Sequence, residues 1–144
     1  MTRSSGRLAS CSKDDARSRL TRAQGFMLVA EMVVGEEMGS ETQDDIPLSG
    51  VAAALAVLSG IAAADAACCH SLGTRSRGQD HAQALELVKQ VTPEGDSLAK
   101  DLRRLLDLKD NAHYGILNVS EGEARKAVEW CRRMVSNAEA VLKK

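Results

Sequence analysis

Lys109 stands where an apolar side chain is expected. From Leu98 onward, Leu98, Leu102, Leu105, Leu106 and Ala112 recur at helical spacing, and Lys109 falls almost in the middle of that stripe. An ammonium group so placed must reach the rim, find an acid or lose its proton. Asp65 is the matching anomaly, the single carboxylate in the weakly polar run from Pro47 to Leu72, on the same stripe as Leu58, Ala62 and Cys69. A Lys109–Asp65 contact would answer both. His113, one turn beyond Lys109, and His81 on another segment titrate near neutrality and could complete a polar pocket. In such a set a histidine can move a proton while a nearby cation stabilises charge developing on a phosphoryl group. The plain alternative is a lysine that snorkels at the end of a bundle and an aspartate bonded to a neighbouring hydroxyl or amide.

The other chemistry-bearing groups are cationic or sulfur-containing. Arg75 and Arg77 lie in a turn, and Arg103 and Arg104 lie on the outer side of the Lys109 helix. If these faces converge they make a phosphate-binding surface, and otherwise they are solvated exterior. One Trp, one Tyr and one Phe leave no material for a base-stacking platform. Cys11, Cys68, Cys69 and Cys131 show no C-x-x-C spacing, so they read as buried free thiols in a reducing, cytoplasmic setting rather than as a disulfide framework. A zinc site from His70, His81 and these cysteines lacks a recognised spacing, and neither a metal nor a cofactor is expected.

The elements that must position these groups are helical. Pro47 to Leu72 is apolar or small on most faces, as befits a helix enclosed by others, and the rest of the chain is expected to pack around it. Its Ala, Ser and Gly content argues against a membrane span. Residues 1 to 12 read as a disordered lead-in, and 13 to 144 as one domain. A first helix runs from about Lys13 to Met38 with Ala16, Leu20, Ala23, Met27, Ala30 and Val34 on one face, weakened locally by Gly25 and Gly35. Asp80 caps a short helix ending near Val91, with Ala84, Leu85 and Val88 inward. The Lys109 helix follows from about Leu98 to Tyr114, and a capping box of Ser120 and Glu123 opens a last helix to Leu142. No stretch reads as a strand.

At 144 residues with 44% hydrophobic but 2% aromatic content, the core must be built from Ala, Leu, Val and Met, which favours close helix packing. The expected fold is therefore all-α, an up-and-down bundle of four to five helices. The net charge of -1 gives no general signal for nucleic acid, although six of the first 22 residues are basic and Phe26 to Ala64 has no basic residue. Small residues at Gly50, Ala54, Ser59 and Gly60 would let a second copy approach closely, which predicts a homodimer.

The run LRRLLDLKDNAHYG (Leu102 to Gly115), after a central helix and the segment SLGTRSRGQDHAQAL (Ser71 to Leu85), resembles the HEPN superfamily over roughly Val51 to Tyr114. That resemblance implies a dimeric helical bundle of toxin-antitoxin type, with RNA or a nucleotide as ligand and a nucleotidyltransferase-type protein as partner. It also implies a metal-independent endoribonuclease in active members. By the same resemblance Lys109, Asp110 and His113 take the catalytic places, and Tyr114 joins Asp65 and His81 in the pocket. Lys109 replaces the arginine of active members, and the gap to His113 is shorter than theirs. A point-like ammonium grips a phosphate less well than a planar fork, so a binding member with a degenerate motif is the expectation. Ribonuclease activity and a ligand-free scaffold are the alternatives.

Overall fold

The structure, a computed structural model, describes residues 8–37, 48–77, 80–111 and 119–144. Five α-helices and one two-stranded ladder are present among these residues: β1 (Leu8–Ser10), α1 (Lys13–Met32), α2 (Leu48–Leu72), β2 (Thr74–Ser76), α3 (His81–Val88), α4 (Gly95–Asn111) and α5 (Glu121–Leu142). The all-α bundle expected from composition is the fold found.

The helix starts follow local chemistry. Ser12 accepts from the backbone N–H of Asp15 while Asp15 returns the bond to Ser12, and Ser120 with Glu123 repeats the arrangement at α5. Asp80 caps α3 by accepting from the Gln83 N–H. α1 passes through Gly25 without a break and widens into a π-helical turn over Val33–Glu37, around Gly35.

Side-chain partners give the helix directions. Arg19 of α1 meets Asp65 of α2 and Ala23 accepts from Ser59, so these two run antiparallel. Gln24 donates to Glu139 and Arg132 to Glu31, which sets α5 antiparallel to α1. Arg133 donates to Asp101 and Lys144 to Glu94, which sets α4 antiparallel to α5. The four long helices therefore alternate in direction along the chain, an up-and-down bundle with α3 as a short addition against α4. α2 and α5 form the centre, and close packing there is allowed by small buried residues: Ala52, Ala56, Ala63 and Ala67 on α2 and Ala124, Ala127 and Ala138 on α5. α1 contributes Ala16, Ala23 and Ala30, seven residues apart and fully buried, a narrow seam of the coiled-coil kind.

Several sequence expectations change. Leu8–Ser10 pairs antiparallel with Thr74–Ser76, so residues 8–12 of the expected disordered lead-in are structured and the described chain contains strands that no residue pattern announced. Three residues are too few to show alternation. Cys11 and Cys69 form a disulfide with their Cα atoms 5.3 Å apart, whereas Cys68 and Cys131 are free and buried as expected. The small-residue surface assigned to a dimer is largely enclosed within the chain: Gly50 and Ser59 are buried, and Gly60 lies under Leu105 and Met134. α2 is long and apolar enough to cross a bilayer by length and composition, but 67% of its most apolar window is buried in the bundle.

Candidate functional site

A cleft of about 250 Å³ opens where the second half of α2, β2, the start of α3 and the second half of α4 meet. Ile61, Ala64, Leu102 and Leu106 supply its apolar wall. Arg75, Ser76, Arg77, Asp80, His81 and Lys109 line it with polar groups, and Asp65 is part of the same lining. β2 places Arg75 there, and Arg77 follows the strand directly, because Gly73, at a left-handed φ of 73°, turns the chain sharply out of α2.

Asp65 has 15% of its side-chain surface exposed and faces Arg19, with Nη1 3.6 Å from Oδ2. Burial pushes its carboxyl up to about 6, against the opposing pull of Arg19 and then Arg75. The Nε of Arg19 is buried and has no hydrogen-bond partner, which leaves one donor of this guanidinium unused beside the carboxylate. Arg19 is the site residue that reading from sequence missed. Its signal was its place between Ala16 and Ala23, on the inward face of α1.

The expected Lys109–Asp65 contact is not made. Lys109 is exposed in the last turn of α4, and the cation against Asp65 is Arg19. The reason is register. α4 runs antiparallel to α2 with Leu105 against Gly60, so continuing to Lys109 moves away from Asp65. At 1.5 Å per residue the two are offset by roughly 13 Å along the bundle axis. They line opposite ends of one cleft instead of forming a pair.

His81 stands between this cleft and a second groove of about 270 Å³ that includes Arg103, Asp107 and Asp110. Its Nδ1 is 3.5 Å from Oδ2 of Asp110, so two of the expected site residues meet each other. The four arginines do not converge. Arg75 and Arg77 line the cleft, Arg103 lines the second groove, and Arg104 donates to the buried Asp101 at 3.3 Å and stacks 5.8 Å from the Trp130 ring centre. Asp101 is also gripped by Nε and Nη2 of Arg133, so Arg104 belongs to a structural ion cluster between α4 and α5. His113 and Tyr114 lie outside the described residues.

Arg75, Arg77 and Lys109 give the lining three cations that can hold an anion. The largely buried Asp65 in the same lining can accept a hydrogen bond from a ligand hydroxyl or amine. No group of three or more His, Cys, Asp or Glu side chains among the described residues is placed to hold a metal ion. No protein-family model, curated protein or solved structure matches the chain.

Proposed function

We propose that this chain is a HEPN-like helical-bundle binding module, of toxin-antitoxin type with a degenerate catalytic motif, whose cleft takes the phosphate of an RNA or nucleotide. The observation that carries the reading is the gathering of Arg75, Arg77 and Lys109 around one recess that also holds Asp65. Three cations on a concave surface favour a phosphate, and a recessed carboxylate favours a ligand that also carries hydroxyl or amino donors. An RNA or nucleotide has both.

The test is fluorescence anisotropy with a labelled single-stranded RNA, competed by a nucleoside monophosphate. R75A/R77A is expected to weaken binding by about 10-fold or more and to flatten the salt dependence, because two phosphate contacts are lost. Unchanged affinity in that double variant would remove the cleft from consideration. The same incubations on a gel address the endoribonuclease reading, which the His81–Asp110 pair at the cleft's edge favours. Cleavage that is lost in H113A would support it. The homodimer and the nucleotidyltransferase-type partner belong to the same proposal. Sedimentation at micromolar concentration and co-purification with a candidate partner test them.

A further inference from the structure

The geometry points to a redox clamp on the cleft: the Cys11–Cys69 disulfide holds the strand pair that carries Arg75 and leads directly into Arg77, and a dithiol that reduces it releases them. The consequence for ligand rests on the binding reading above, whereas the clamp is a property of the strands themselves.

The bridge lies directly beside the cleft-forming segment. Cys69 is in the last turn of α2, 1% exposed, and Gly73 donates back to its carbonyl at 3.1 Å. β2 begins at the next residue, so the path from the bridge to Arg75 is a few residues of turn and strand. On the other side, Cys11 joins β1 to the cap of α1 and donates from its N–H to the Gly73 carbonyl at 3.0 Å. The ladder then pairs Ser10 with Thr74, Ala9 with Arg75 and Leu8 with Ser76, and the Thr74 hydroxyl donates to the Ala9 carbonyl at 3.1 Å.

A two-stranded ladder of three pairs is marginal by itself in water. Here a covalent bond keeps the two strands at each other's side, and its loss returns the pairing to that marginal state. Arg75 is near enough to feel both Asp15, in the first turn of α1, and Asp65, in the cleft. Its backbone pairs with Ala9, so its position follows how β2 sits against β1 and the start of α1, which is the junction the bridge ties.

The chemistry is simple exchange. A thiolate of an external dithiol attacks Sγ of Cys11, the less buried sulfur. The S–S bond breaks, and Cys69 takes the electron pair and then a proton. The second thiol of the reductant displaces Cys11 from the mixed disulfide, leaving two protein thiols and an oxidised reductant, a transfer of two electrons and two protons. The neighbouring Cys68 does not compete. Burial, and then the charge of Asp65, push its thiol up to about 12, so at neutral pH it is protonated and not a nucleophile.

The test uses the full chain, oxidised or treated with dithiothreitol, with C11S and C68S as variants. Hydrogen exchange at residues 8–12 and 74–77 is expected to rise by about 10-fold or more on reduction and in C11S, to the level of a locally frayed segment, while the amides of α2 and α5 lose only the protection that follows from lower global stability and remain the slowest to exchange. The labelled RNA should bind several-fold more weakly to both. Dithiothreitol should have no further effect on C11S, and C68S should behave as the unaltered protein. Equal protection in the two redox states, free Cys11 and Cys69 thiols in oxidised protein, or equal RNA affinity despite a loosened ladder would each overturn the proposal. A loosened ladder with RNA bound by neither form would overturn the binding reading instead and leave the clamp standing.

Discussion

Asp65 shows how much a single side chain reveals and where its information ends. A carboxylate inside a run of alanines was visible as an anomaly in the residue order, and its recessed position agrees. Its partner was not visible, because which cation reaches it depends on how far α4 is shifted along α2, a relation between residues far apart in sequence. The same applies to Arg104, whose partner Asp101 is one helical turn away but whose place in an ion cluster depends on α5 bringing Arg133 to the same carboxylate. The raised position of Asp65 has a consequence for stability. Between its ordinary value of 3.8 and about 6 the unfolded chain has released this proton while the folded chain retains it. Folding stability therefore falls as pH rises through that window, by about 3 kcal/mol for this group, and does not recover above it. D65N lacks the titration. Urea unfolding of both proteins at pH 4 and pH 7 is expected to show the variant gaining about 2–3 kcal/mol relative to the parent on going to the higher pH, on top of a constant offset from the changed Arg19 contact. Stability curves that run parallel across the window would mean the carboxyl titrates normally.

Among the elements, helices with strong end signals were legible almost to the residue, since a cap is a local device. α5 begins after Ser120 and α3 after Asp80, as their side chains dictate. β1 and β2 were not legible, because their pairing is fixed by a turn at Gly73 and a bridge from Cys11, neither of which leaves a periodic trace. Glycine likewise has no single meaning along these helices. A Cβ on Gly60 would lie 2.5 Å from Cδ1 of Leu105 and 3.1 Å from Sδ of Met134, and both of those side chains are fully buried. Gly25 has nothing within 4 Å of the same position. G60A is expected to destabilise by about 1–2 kcal/mol as the α2–α4–α5 contact is overpacked, despite the better helix propensity of alanine. G25A has the propensity gain without the clash and should stabilise by about 0.5–1 kcal/mol. Thermal or urea melts of the pair decide this, and a stabilised G60A would show that Leu105 swings aside freely.

For the whole molecule, the constraint of largest reach is the bridge between Cys11 and Cys69, 58 residues apart. It closes α1, the segment after it and nearly all of α2 into one loop, so it acts on the two helices whose seam is built mainly of alanine. Small side chains bury little area per residue, and an alanine seam gains less from transfer out of water than a leucine seam would. Restricting the unfolded chain is therefore a proportionally large contribution here. The loop-closure relation for this separation gives about 4 kcal/mol, a substantial share of the 5–15 kcal/mol typical of a domain. C11S, or the reduced parent, is expected to unfold at markedly lower urea with a stability loss approaching that figure, together with a steeper dependence on urea because the freed denatured chain exposes more surface. C68S removes a thiol from the neighbouring position without opening the loop, and should lose far less. If C11S and C68S were destabilised equally, the bridge would be acting only as a buried contact, and the bundle would owe its stability to helix packing alone.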